Sequence, residues 1–232
     1  MRRPLLDRLV RLWRTDRGFS ALLVSLVVAI FIIPPLTSSS EAPSLLPLIF
    51  SQIFFALIFV SGIVASGGGR AASAVASVVV GAAIALFWTH QFRPSPALGA
   101  WRAGVAVLAI GSLTVLVVQQ VFREGPITVQ RIQGAVAVYL LVGLMWANVY
   151  VLIEQLSPGA FRMSRPPENP DVLASFAYYS FVTLTTMGYG DILPVHPMAR
   201  SAAVLEALVG QLFPAILIAR LVAMELASRE PR

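Results

Sequence analysis

Apolar residues fall in long runs along this chain, without the strict alternation of a half-exposed strand, and short polar stretches punctuate them. Six runs are long enough to cross about 30 Å of hydrocarbon, which takes about 20 helical residues. They cover residues 19–36, 45–65, 71–89, 97–121, 132–156 and 199–221. Between the fifth and the sixth, residues 171–191 form a segment too short and too broken by glycine to cross, the pattern of a helix and loop that enter a membrane and leave on the same side. The pattern predicts an all-α membrane protein with six transmembrane helices and one re-entrant pore segment.

Composition agrees with the pattern: 57% hydrophobic residues, 12% charged residues and a mean hydropathy of +0.81 lie far from the balance of a soluble domain. Cysteine is absent, which excludes disulfides and thiolate metal sites and leaves the compartment open. All 17 basic residues are arginine, and the net charge is +6. They gather at the ends of the apolar runs with no aromatic-basic face, so membrane topology explains them better than nucleic acid does. Arg2, Arg3, Arg8, Arg11, Arg14 and Arg17 precede the first run, Arg70 follows the second, Arg123 and Arg131 flank the fourth connection, and Arg229 and Arg232 follow the last. This bias places both termini on the cytoplasmic side of an inner or plasma membrane. A cleaved signal peptide is disfavoured, because the first apolar run is too long for one and contains Pro34-Pro35. Residues 4–14 carry leucines and Trp13 on one helical face and charges on the other, which fits an interfacial helix or an ordinary arginine-rich flank.

A voltage sensor needs arginines repeated every third residue on one helix. The fourth run has Arg102 alone, and no acidic residue lies between Glu41 and Glu124 to pair with it. The first four runs therefore read as a scaffold without steep voltage dependence. Ser73, Ser77, Gly81 and Ala85 form a small-residue stripe suited to close helix packing. The expected organisation is a basic interfacial segment at 1–18, a four-helix bundle at 19–131 and a pore domain at 132–232.

The decisive motif is Thr183-Leu-Thr-Thr-Met-Gly-Tyr-Gly-Asp191. In an extended strand, successive carbonyls point to one side only if φ alternates in sign, and Gly188 and Gly190 tolerate that alternation. The motif resembles the signature of the potassium channel superfamily, in which such carbonyls replace the hydration shell of the ion. From residue 132 onward the chain is similar to the pore module of that family: outer helix, pore helix, filter and inner helix. The resemblance implies a homotetramer, since one chain supplies one quarter of a filter. It assigns as ion ligands the hydroxyl and carbonyl of Thr186 and the carbonyls of Met187, Gly188 and Tyr189. Gly190 completes the turn, and Asp191 faces the outer mouth. Tyr178 and Tyr179 are expected as an aromatic cuff packed against Tyr189. Met187 stands where the family mostly has valine or isoleucine, so a less rigid filter with weaker discrimination against sodium is expected.

On the inner helix, Gly210 falls at the family's gating-hinge position, and Pro214 one turn later removes a helix hydrogen bond, so a bend is expected. Gln211 is expected to line the cavity, and Ile218 and Val222 to form the inner constriction. Glu206, a carboxylate two turns into an apolar helix, is a functional candidate by default. It either sits behind the filter and hydrogen-bonds Thr183 or Ser180, or reaches outer-surface water beside Arg200. Enzyme chemistry has little support: His90 and His196 are isolated, and no His-Glu-x-x-His or Gly-x-Ser-x-Gly motif occurs. No cofactor, nucleic acid or small-molecule ligand is expected, only potassium as permeant ion and membrane lipid as surroundings. The competing readings are a potassium transporter subunit and a non-conducting partner of another channel. The gating stimulus leaves no trace in the sequence.

Overall fold

The computed structural model describes residues 18–38, 45–66, 78, 81–89, 95–123, 128–164 and 172–229. Helix α1 covers 18–38, with a π-helical stretch at Val28–Ile32 followed by α-helix at Ile33–Ser38. The π stretch closes with the Ile33 N–H donating to the Val28 carbonyl, just ahead of Pro34 and Pro35, which have no N–H to continue the ladder. Helix α2 is Leu45–Ser66, 22 residues without a charge. Residues 81–89 form α3, and α4 is Pro96–Val121. The start of α4 has a proline at its first position and the Ser95 hydroxyl accepting from the Leu98 N–H at 3.2 Å. Helix α5 is Val129–Leu156, α6 is the short Val172–Leu184 and α7 is Pro197–Arg229. Two three-residue strands, β1 at Phe161–Met163 and β2 at Ile192–Pro194, pair antiparallel and flank the pore segment.

Gly18–Pro35, Ala97–Val121, Val129–Leu156 and Pro197–Arg220 are each long and apolar enough to cross a membrane, while Val172–Leu184 is apolar and too short. The chain is thus an all-α membrane protein, with a small β ribbon that the apolar pattern did not predict. Residues 71–77 and 79–80 of the third expected run, 71–89, lie outside the described residues, as does the interfacial segment 4–14. Ser73 and Ser77 of the expected packing stripe also lie outside them. Gly81 and Ala85 are exposed, and Ala83 is the buried residue instead.

Two compact units appear. The first comprises the described residues within Met1–Val80, Ser112–Leu140 and Met224–Arg232. Its buried residues include Phe19, Leu22 and Leu26 of α1, Phe59 of α2, Leu113, Val117 and Val121 of α4, and Val138 of α5. The Ser20 hydroxyl donates to the Gln133 side-chain oxygen at 2.6 Å inside this apolar setting. The second unit comprises the described residues within Gly81–Gly111 and Leu141–Ala223. Its core is aromatic, with Trp146, Tyr150, Phe161, Phe176 and Tyr179 packed with Val151, Ile153, Ile192 and Ala199. The pore segment belongs to this unit.

Candidate functional site

The site begins at the end of α6. The last carbonyls of a helix have no partner within it, and here the following segment folds back to satisfy them. The Thr185 N–H donates to the Phe181 carbonyl at 3.0 Å and the Thr186 N–H to the Thr183 carbonyl at 2.9 Å. The Met187 and Gly188 N–H groups both donate to the Val182 carbonyl, at 2.9 and 3.4 Å. The Thr185 hydroxyl adds a bond to the Phe181 carbonyl at 2.6 Å. The strand is thus seated on the helix before any neighbour is considered.

Its backbone alternates. Thr186, Gly188 and Gly190 have φ of 58°, 58° and 79°. Thr186 is the single non-glycine with positive φ among the described residues. Such a φ is a conformational outlier for a β-branched residue and marks a position where another demand overrides local preference. The sequence pointed to this alternation at the two glycines; the structure extends it to Thr186. Residues 185–191 are all exposed in the single chain, with Met187 at 61% and Tyr189 at 65%. Gln211 of α7 donates from Nε2 to the Thr186 hydroxyl at 3.0 Å, which brings the inner helix to the base of the strand.

Asp191 is held from two sides: its carbonyl accepts from the Ser164 N–H at 2.8 Å, and its carboxylate pairs with the Tyr178 hydroxyl. The ribbon pairs Phe161 with Pro194, Arg162 with Leu193 and Met163 with Ile192, which returns the chain from the filter to α7 along a fixed path. Glu154 anchors the turn before β1, accepting from the Gly159 N–H at 2.8 Å and the Phe161 N–H at 3.2 Å. His196 receives the Met198 N–H at Nδ1 at 3.2 Å and so caps α7. A cavity of about 510 Å³ lies beside the outer end of the strand, lined by Met163, Ser164, Ala174, Ser175, Tyr178, Asp191 and Ile192.

The two tyrosines of the expected cuff part company. Tyr178 is 44% exposed and meets Asp191. Tyr179 is buried and turns into the aromatic core, its ring 4.9 Å from Tyr150 and 5.5 Å from Phe161. Its hydroxyl is hydrogen-bonded to Thr183. Adjacent residues on a helix point about 100° apart, so one side chain faces the filter mouth and the next faces the interior.

Glu206 is fully buried and faces inward. Oε1 lies 2.5 Å from the Ser180 hydroxyl, and Oε2 accepts from the Tyr150 hydroxyl. The alternative placement beside Arg200 is not adopted; Arg200 instead donates from Nε to the Pro194 carbonyl at 3.1 Å. Tyr150 went unnoticed in the sequence, although a tyrosine inside an apolar helix carries a hydroxyl that needs a partner when buried. Gly210 sits where α7 passes the end of α6: a Cβ there would fall on the Leu184 carbonyl oxygen, with the carbonyl carbon at 2.8 Å. Helix α7 continues as one helix through Gly210 and Pro214 to Arg229. Ile218 and Val222 are exposed on it, at 62% and 53%.

A family described as "Ion channel" matches residues 137–226. Protein LctB of Bacillus caldotenax is 31% identical over 121 residues, covering 51% of this chain and 90% of that protein. Two pore potassium channel c of Oryza sativa subsp. japonica is 38% identical over 73 residues, covering 32% of this chain. The chain belongs to the potassium channel superfamily. As a member of this family of ion channels it is an integral membrane protein and not an enzyme. It spans 16% of the rice channel's length. Protein LctB of Geobacillus stearothermophilus is 28% identical over 121 residues, covering 90% of that protein. No solved structure matches the chain.

Proposed function

We propose that four copies of the chain form a potassium-selective channel, with the Thr186–Gly190 strands meeting on the four-fold axis. The observation that carries this reading is the sign alternation of φ at Thr186, Gly188 and Gly190 in a strand exposed along its whole length. A monomer gains nothing from holding a threonine at positive φ while leaving Met187 and Tyr189 uncovered. Four copies do gain, because aligned carbonyls form oxygen cages and the neighbours cover the side chains. Thr186 contributes its hydroxyl and carbonyl, Met187, Gly188 and Tyr189 their carbonyls, Gly190 the outer turn, and Asp191 the negative rim.

The C-terminal end of α6 points its dipole toward the cavity below the filter, where four such ends favour a cation. Gln211 lines that cavity beside Thr186. Ile218 and Val222 narrow the pore further along α7, with Gly210 and Pro214 allowing the helix to move. Opening does not depend steeply on voltage, since α4 carries Arg102 alone. The arginine bias puts both termini on the cytoplasmic side and Asp191 outside. The test is flux through the purified protein in liposomes under opposed potassium and sodium gradients. A reversal potential near the potassium equilibrium value supports the reading, and equal passage of both ions removes it.

A further inference from the structure

Three polar side chains meet inside the aromatic core behind the filter. Glu206 on α7, Tyr150 on α5 and Ser180 on α6 each show no exposed surface. Tyr150 donates to Glu206 Oε2, the Ser180 hydroxyl oxygen lies 2.5 Å from Oε1, and the same oxygen lies 2.7 Å from the Gly143 carbonyl of α5. The titratable groups facing the carboxyl are Tyr150 from α5 and Tyr179 from α6. The strands contribute Phe161 and Ile192 to the same core. The side chains bonded to the carboxyl are two hydroxyls, and neither carries charge.

The hydrogens can be counted. A serine hydroxyl has one proton, and both of its neighbours here accept if the carboxyl is ionised. One of the two close oxygen pairs then has no hydrogen between its atoms, and a full negative charge sits in an apolar core with only hydroxyls bonded to it among the described residues, which is costly. With a proton on Oε1 the chain of bonds closes: Oε1 donates to Ser180, Ser180 to the Gly143 carbonyl, and Tyr150 to Oε2.

We propose that Glu206 carries a proton in the conducting channel, and that the resulting bonds lock α6 between α5 and α7. Loss of the proton at alkaline pH releases the lock and lowers flux. The mechanical link is short. Ser180 lies two residues before Val182, whose carbonyl holds the Met187 and Gly188 N–H groups, so a displacement of α6 reaches the filter directly.

The flux arm of this proposal rests on the conduction reading; the proton itself does not. The test uses the full chain in lipid vesicles stepped from neutral to alkaline pH, reading potassium flux and the infrared difference spectrum in wild type and Glu206→Gln. Glutamine can donate to Ser180 and accept from Tyr150 without titrating. The expected result is a several-fold fall in wild-type flux and a flat profile in the variant. The wild-type spectrum should lose the carbonyl stretch of a protonated carboxylic acid, a band the variant lacks. Matching pH profiles in the two proteins overturn the proposal, as does a wild-type spectrum with no neutral carboxyl to lose. If wild type passes no ions at any pH, the conduction reading fails and the infrared arm alone decides the proton. If the variant does not assemble, the wild-type spectrum decides.

Discussion

The filter strand and the aromatic core behind it are joined through α6, and they solve opposite problems. Residues 185–191 are exposed along their length and include a threonine at positive φ, so the strand holds a shape that its own packing does not explain. The core around Tyr150 is packed on all sides: Phe161 and Phe176 stand 4.8 Å apart, Tyr150 and Tyr179 4.9 Å, and Phe176 has no exposed surface. The contrast teaches that the residues naming the family are not the ones that hold the site in place. The strand carries the chemistry, while α6, pinned by Tyr179, Phe176 and Ser180 on its inner face, carries the rigidity.

The contrast can be broken from either side. The largest expected effect is that of Gly188→Ala. Open space surrounds this position in the single chain, so the added methyl meets no neighbour there, and the penalty is the φ of 58° itself. The strain is about 1–2 kcal/mol for each residue, multiplied in a tetramer. Loss of potassium-selective flux is expected with helical content unchanged by circular dichroism. Loss of the fold instead would mean that the strand is structural.

Phe176→Ala attacks the other side. Emptying a fully buried aromatic site costs about 3–5 kcal/mol, so thermal denaturation in detergent should move to markedly lower temperature. An unchanged transition would show that the core does not hold α6.

Gly210→Ala sharpens the comparison, because Gly210 touches the end of α6 rather than either region's centre. Its methyl would fall on the Leu184 carbonyl, and overpacking of this kind costs about 1–3 kcal/mol. A close-packing role predicts lower thermal stability along with altered flux. A pure hinge role predicts altered open probability with stability unchanged.

The smallest effect is expected from Met187→Val. The ion ligand is the carbonyl, which survives, and a β-branched side chain stiffens the strand. The potassium-to-sodium permeability ratio measured from reversal potentials should rise while thermal stability stays the same.

Much of the fold was legible in the sequence because length and apolarity alone select membrane helices. The runs 97–121 and 132–156 correspond to Pro96–Val121 and Val129–Leu156, and the short segment before the last run is the 13-residue α6. The β ribbon was not legible, since two three-residue strands carry no periodicity strong enough to detect. The choice for Glu206 stayed open in the sequence, because Ser180 and the outer surface were both within reach of a side chain two turns into α7. The resemblance to the family implies one cuff role for Tyr178 and Tyr179 alike, and only the contacts of α6 separate the two side chains.

By itself, the sequence determined the membrane character, the helical runs and the motif that places the chain among potassium channels. Those properties depend on local composition and on which residues tolerate alternating φ. Tertiary structure alone decided that Tyr150 of α5 and Ser180 of α6 would meet Glu206 of α7, and that Gly210 would meet the Leu184 carbonyl. Partners separated by 56 residues for Tyr150 and Glu206 are joined by helix packing, and no local pattern in a chain records which faces of its helices come together.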